Sequence, residues 1–295
     1  MKRLTILAVF TLLSSVIAGQ IVAADGLTDV RQRGTLRHLG IPYANFVTGK
    51  GDGLCVEVMQ GFASYLGVEY EYVRTNWQDV FGDLIGKTVY PEGEDVSFGK
   101  RVAIRGDLIA NGLTVLPWRE KAVKYSTPTF PTQVWLITAS NSGLKPIHPS
   151  GDINRDIAAT KALLRGRHVL GKAGTCLDPS LYKVTRAGAR PELFDGNLND
   201  LAPAVINGLA ETAILDVPDA LVALSKWPGR ILVLGPISPP QVMGVGFRPA
   251  DDRLRQAFNN YYDRMRKDGT YQALVRKYYP AVFDYYPDFF SHPLQ

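Results

Sequence analysis

Residues 111–130 read NGLTVLPWREKAVKYSTPTF, and the reading of this stretch decides the fold. The apolar run Leu108-Ile109-Ala110 leads into it, as a buried strand does. Thr114 and Arg119 follow closely. A helix-like segment from Glu120 to Tyr125 then runs into Ser126-Thr127-Pro128-Thr129. A hydroxyl and a guanidinium are therefore set where a strand gives way to a helix. Arg119 offers a planar fork that suits a carboxylate held bidentately. Thr114 adds a hydroxyl, and backbone N–H groups near Gly112 and Thr114 add donors. The plainer alternative is that Arg119 pairs with a surface acid, worth about 0–1 kcal/mol.

On either side of this stretch, short extended segments alternate with amphipathic helices. Thr35 to Leu39 reads as a strand. Cys55 to Leu66 reads as a helix, with Cys55, Met59, Phe62 and Leu66 on one stripe and Gly67 as its stop. Val68 to Val73 is a strand, Trp77 to Ile85 a helix closed by Gly86, and Val134 to Thr138 a strand. The middle repeats the pattern: helices at 155–164, 198–209 and 218–225, and strands at 168–172, 213–215 and 231–234. Val242 to Phe247 is a strand, and helices at 252–267 and 270–279 follow. Such alternation implies mainly parallel sheets covered by helices. Linker-like zones at 129–132 and 236–241 set off a middle block of domain size. The chain thus reads as two lobes, the second inserted into the first, with a hinge of two crossings and a cleft between. Tyr90 to Arg105 breaks the pattern and reads as a loop insertion, too mixed in charge to be core.

The composition is that of a globular protein: 46% hydrophobic and 21% charged over 295 residues. Lys2 and Arg3 precede an apolar run, and small residues reach Ala23-Ala24 before Asp25. That is the pattern of a secretory signal peptide over 1–24. The run is short for a membrane span of about 20 residues. A periplasmic, soluble, monomeric mature protein is expected. The formal charge of +5 includes Lys2 and Arg3, and no basic cluster stands out, which argues against a nucleic-acid partner. Cys55 and Cys176 have no metal-site spacing, and no cofactor is indicated. An oxidising compartment makes a bond between them conceivable, although two small, partly buried thiols are the simpler reading.

Other residues are candidates with two readings each. The turn Gly171 to Cys176, with Lys172 and Thr175, follows a strand and would favour an anion through its N–H groups, or be a plain turn. Asp216 ends a buried strand, as the N-cap of the next helix or as a partner for a ligand cation. Trp77 would stack on a ligand or anchor its helix. Tyr43 and Phe46 follow the first strand, as an aromatic wall or as cover for the sheet edge.

Taken together, GTLRHLGIPYANF, GLCVEVMQGFASYLGVEYEYV, DLIANGLTVLPWREKAVKYSTPTF, GKAGTCLD, ETAILDVPDAL and DGTYQALVRKYY resemble the family 3 extracellular solute-binding proteins. These are the periplasmic receptors of polar amino-acid ABC transporters. The resemblance runs from Gly34 to Pro280. It implies an α/β, two-lobed periplasmic-binding-protein-like fold of type II, with two mixed sheets flanked by helices. It divides the mature chain into 25–132 with 242–295, and 133–241. The family pattern Gly-x-Thr-x-x-x-x-Arg falls on Gly112, Thr114 and Arg119, which would hold a ligand's α-carboxylate. Lys172, Gly174, Thr175 and Cys176 would close onto it from the second lobe. Asp216 would take the ammonium, and Trp77 is the aromatic after the second strand. The sequence departs from the pattern at Leu116, Cys55 and Pro117-Trp118. Parts also resemble the non-catalytic domain of membrane-bound lytic transglycosylases.

The function implied is capture of a small carboxylate-bearing solute, an amino acid first of all, and delivery to an ABC permease. The alternatives are a secreted enzyme of the cyclohexadienyl dehydratase kind and a sensory or partner-binding module. No acid or base for the enzyme can be assigned, since His38, His148, His168 and His292 form no local motif.

Overall fold

The computed structural model describes residues 26–291; the signal-peptide reading and His292 lie outside them. The chain enters through α1 (Gly26–Arg33), β1 (Thr35–Gly40), α2 (Leu54–Leu66), β2 (Glu69–Arg74) and α3 (Val80–Ile85). Next come β3 (Lys87–Glu92), β4 (Asp95–Arg101), β5 (Leu108–Thr114), α4 (Pro117–Ala122), β6 (Lys124–Tyr125) and β7 (Phe130–Thr132). The middle holds β8 (Val134–Ala139), α5 (Ile153–Ala162), β9 (His168–Gly171), β10 (Arg190–Leu193) and α6 (Leu201–Ile206). It continues with β11 (Thr212–Asp216), α7 (Val217–Lys226) and β12 (Ile231–Pro236). The chain returns through β13 (Gln241–Phe247), α8 (Asp252–Lys267), α9 (Thr270–Tyr278), α10 (Val282–Tyr285) and α11 (Pro287–Ser291).

Two mixed sheets organise these elements into two lobes. The first has the order β2-β1-β5-β13-β6, with β7 also on β13. Its β1 runs parallel to β2 and β5, whereas β13 is antiparallel to β5. The second sheet has the order β10-β9-β11-β8-β12, parallel at β10-β9-β11 and antiparallel where β8 meets β11 and β12. The first lobe takes strands from both ends of the described chain, the second from its middle. The chain passes between sheets at Thr132 to Val134 and again at Pro236 to Gln241. Ser238 ties the two passages together: its Oγ accepts from Val134 N at 2.9 Å, and its carbonyl accepts from Gln133 Nε2 at 2.9 Å.

Helix α2 shows why the stripes form. Leu54, Val58, Met59, Phe62 and Leu66 are buried on one side, each contributing about 1.5–3 kcal/mol if fully withdrawn from water. Gly67 ends it in the left-handed region, where its N–H reaches the Ala63 and Ser64 carbonyls. All seven residues of β5 are buried, as a central strand requires.

The structure adds α1, β7, β10, α10 and α11 to the sequence reading, shortens the helix expected at 198–209 to Leu201–Ile206, and changes further elements for local reasons. Tyr90 to Arg105 is not a plain loop: most of it belongs to the β3–β4 hairpin. Both faces of that hairpin are largely exposed, so no polar–apolar alternation marks its strands. The helix expected from Trp77 begins only at Val80, because Asn76 Oδ1 accepts from the N–H groups of Gln78 and Asp79 and forms a turn. Helix α4 stops at Ala122, and Lys124-Tyr125 pairs with Gly246 and Phe247 instead. None of the helices among the described residues is long and apolar enough to cross a membrane.

Candidate functional site

The parallel strands β1, β2, β5, β9 and β11 all end toward one region between the lobes. Tyr43 follows β1, Trp77 follows β2, Thr114 closes β5, Lys172 to Cys176 follow β9, and Asp216 closes β11. This is where α/β sheets leave backbone and side chains free for ligands.

Arg119 is completely buried. Pro117 at the first helical position of α4 starts the turn that carries it. Its guanidinium lies 5.5 Å from the Trp77 ring centre, 5.6 Å from Phe81 and 5.2 Å from Trp118. Its Nη1 donates to the Thr114 carbonyl at 3.0 Å, an oxygen that Tyr125 also reaches at 3.0 Å. Nε and Nη2 of Arg119 and Oγ1 of Thr114 are buried without a protein partner. A buried donor left unpaired costs about 1–3 kcal/mol, more when charged. The arrangement therefore favours an acceptor, and an anion above all. The pairing of Arg119 with a surface acid is not what the fold builds.

Asp216 takes both of the parts weighed for it. It caps α7, accepting from Asp219 N at 3.2 Å, and it faces across to the first lobe. Tyr43 Oη donates to its Oδ1, and the Cys176 thiol lies 3.6 Å from its Oδ2. Burial raises its pKa to about 6, although hydrogen bonds from Tyr43 and the Asp219 N–H hold the charge in place and Arg119 adds attraction. Asp219, one turn along, is also buried, and its carboxyl is held well above the usual range by burial and by Asp216. The Asp216 carboxylate, with the Tyr43 phenol on it, suits a cation. The Cys176 thiol is pushed up to about 12 by burial and by Asp216, so it stands as a neutral, weak donor.

The remaining expected residues play smaller parts in this geometry. Gly112 adopts φ 72, and a Cβ there would lie 2.3 Å from the Phe46 ring. Thr175 turns its hydroxyl inward, donating to the Lys172 carbonyl at 2.8 Å and accepting from Leu177 N at 3.0 Å. The Lys172 ammonium reaches the Phe194 and Asp195 carbonyls, each at 3.0 Å, rather than Asp216. Trp77, half-buried, meets Tyr43 edge-on at 6.0 Å. Cys55 and Cys176 are free, so the disulfide is excluded. Cys55 lines a small space inside the first lobe with Phe46, Met59 and Phe258 instead of facing the cleft.

Sequence reasoning passed over Phe81, Trp118, Tyr125 and Asp219. The first three form the wall around Arg119. Asp219 carried a signal, an acid three residues after Asp216 at the start of the same helix.

The model of the bacterial extracellular solute-binding proteins, family 3, matches residues 98–281. The chain belongs to that family. It is 27% identical over 266 residues to the L-cystine-binding protein TcyJ of Escherichia coli strain K12, covering 88% of each protein. It is 26% identical over 238 residues to the membrane-bound lytic murein transglycosylase F of Desulfosudis oleivorans, covering 79% of this chain and 46% of that enzyme. A crystal structure of the P235GK mutant of ArgBP from T. maritima superposes with a TM-score of 0.68 at 22% identity, covering 86% of this chain and 99% of that one. The fold of this family 3 protein is thus the two-lobed, type II periplasmic-binding-protein fold.

Proposed function

We propose that this family 3 protein captures a small carboxylate-bearing solute, an amino acid, between its lobes and delivers it to an ABC permease. One observation carries the reading: the Arg119 fork and the Thr114 hydroxyl are buried without protein partners, on the same cleft as the buried Asp216. The fork would hold the α-carboxylate with Thr114, and Asp216 would take the ammonium. Trp77 and Tyr43 would flank the ligand, and Gly112 would shape the floor. Lys172, Thr175 and Cys176 would form the second-lobe edge. The lobes would comprise 25–132 with 242–295, and 133–241, moving about the two passages held by Ser238. A ligand that contacts both lobes favours the closed form by its differential affinity. Export by a signal peptide and a periplasmic site of action complete the proposal. The names of relatives such as the L-cystine-binding protein support amino-acid capture.

Calorimetry with a panel of amino acids tests it. Arg119→Ala should weaken binding of the cognate ligand by about 2–5 kcal/mol, the range for one partner lost from a buried charged pair. Unchanged affinity would remove the clamp. Asp216, whose raised pKa of about 6 suits proton transfer, is what favours a second reading as a dehydratase-like enzyme. Aromatic product formed from cyclohexadienyl acids would establish that reading instead.

A further inference from the structure

We propose that the C-terminal segment formed by α10 and α11 is a strap across the hinge, and that it holds the lobes closed before a ligand arrives. It builds on the lobe motion of the proposed function and adds a device that sets the balance of that motion. The segment lies past residue 281, where the family match stops.

The strap is fixed to the first lobe. Val282 and Phe290 are buried. Phe283 packs on Phe290 at 4.7 Å and lies under the Arg276 guanidinium of α9 at 4.1 Å. Gln272 Nε2 of α9 donates to the Phe290 carbonyl at 2.6 Å, and Arg266 Nη2 of α8 to the Phe289 carbonyl at 3.4 Å. Phe290 also meets Phe130 edge-on at 5.9 Å. Phe130 opens β7, the last strand before the first passage between the sheets.

The strap also reaches the second lobe. Tyr285 meets the Trp135 ring at 5.4 Å, a spacing at which aromatic pairs attract. Trp135 lies on β8, just after the same passage. The strap therefore straddles Thr132 to Val134, with Phe130 under one part and Trp135 under another. Trp135 is itself tied to both passages: its Nε1 donates to Gln133 Oε1 at 2.9 Å, and Gln133 Nε2 donates to the Ser238 carbonyl at 2.9 Å. A ring set on Trp135 thus bears on the hinge, whereas Tyr43 acts across the cleft. Tyr286, the next residue, is half-buried, and burial together with the Asp216 charge pushes its phenol up to about 12.

Tyr285 is 51% exposed, so the core of the first lobe does not depend on it. What it adds is a contact with the other lobe, in the arrangement that buries Arg119, Tyr43 and Asp216. If the lobes part as proposed, Trp135 turns with the second sheet while the strap stays with the first, and the ring contact is given up. A contact made in one of two states biases the equilibrium toward that state. An aromatic pair shifts it by about two- to tenfold. The ligand then has less of the closure to supply.

Small-angle scattering on the ligand-free protein tests the strap, with Tyr285→Ala, Tyr285→Phe and Tyr65→Ala beside the wild type. Tyr285→Ala should raise the radius of gyration with far-ultraviolet dichroism unchanged. Tyr285→Phe keeps the ring and should keep the wild-type radius. Tyr65 is 45% exposed and stacks on Phe62 within the first lobe, so Tyr65→Ala removes an exposed ring away from the hinge and should leave the radius alone. Calorimetry with the twenty standard amino acids and cystine adds the link to capture: whichever binds the wild type should bind Tyr285→Ala about two- to tenfold more weakly. An unchanged radius in Tyr285→Ala overturns the strap, and so does an equal rise in Tyr65→Ala. Unchanged affinity beside a larger radius overturns its link to capture. If no amino acid binds the wild type, the capture reading falls, and the scattering still decides the strap.

Discussion

Gly112 is the residue on which the floor of the site turns. Its φ of 72 lies in the left-handed region, and the face a Cβ would occupy is filled by the Phe46 ring. The conformation costs an L-residue about 1–2 kcal/mol, and forcing a methyl into a filled space adds about 1–3 kcal/mol. Gly112→Ala should therefore destabilise the protein by about 2–5 kcal/mol, read by urea unfolding. A change below about 1 kcal/mol would show that Phe46 swings away freely. This residue also shows what the sequence could reveal about the site. The order of Gly112, Thr114 and Arg119 was visible because all three lie within eight positions of one strand–turn–helix unit. The wall around the guanidinium was not, since Phe81 and Trp118 arrive from α3 and α4 and read equally well as core. Nor could spacing tell that Lys172 would bind carbonyls of its own lobe, because that depends on where the segment after β10 comes to lie.

Strand β1 holds the first sheet together partly through one side chain. His38 is wholly buried; its Nδ1 accepts from Tyr70 Oη on β2 at 2.9 Å, and its Nε2–H donates to the Ala110 carbonyl on β5 at 2.5 Å. Burial lowers its pKa to about 4, so it is neutral in the fold. In the unfolded chain it takes a proton below about pH 6.5. Between about pH 6.5 and about pH 4 the unfolded state binds the extra proton, and stability falls as the pH falls, by up to about 3 kcal/mol. Asp216 acts in the opposite direction: its raised pKa means that acid stabilises the fold as the pH drops through about 6. Comparing His38→Gln with the wild type cancels that contribution. The variant should lose less stability on acidification, measured by urea unfolding across this range. Parallel curves would show that His38 does not contribute. Elements such as β1 and α2 were legible because their apolar spacing is local. The β3–β4 hairpin and β6 were not: the hairpin has no buried face to impose alternation, and β6 exists only through its pairing with β13, more than a hundred residues away.

At the scale of the whole molecule, a buried bond to a carboxylate joins the two lobes, Tyr43 to Asp216, beside the neutral bond from Ala44 N to Asn199 Oδ1 at 2.8 Å. The phenol comes from the loop after β1, and the carboxylate from the end of β11 on the other sheet. If the lobes part as proposed, water reaches both groups and replaces the bond. When they close, both are buried, and the carboxylate keeps its charge partly through that phenol. A hydrogen bond to a charged group contributes about 1.5–3 kcal/mol, and in the proposed motion it is gained only on closure. Tyr43→Phe removes it and keeps the ring, which stacks on Phe46 at 6.3 Å and meets Trp77 at 6.0 Å. Packing within the first lobe should therefore survive, while the closed form loses a bond that the open form never had. The ligand-free variant should show a larger radius of gyration by small-angle scattering than the wild type, with unchanged far-ultraviolet dichroism. Saturating ligand should bring the two radii together, because a molecule gripped by Arg119 and Asp216 bridges the lobes in place of the phenol. An unaltered radius in the ligand-free variant would mean that other ties between the lobes, such as Ala44 N to Asn199 Oδ1 at 2.8 Å, govern closure, and that Tyr43 only lines the cleft.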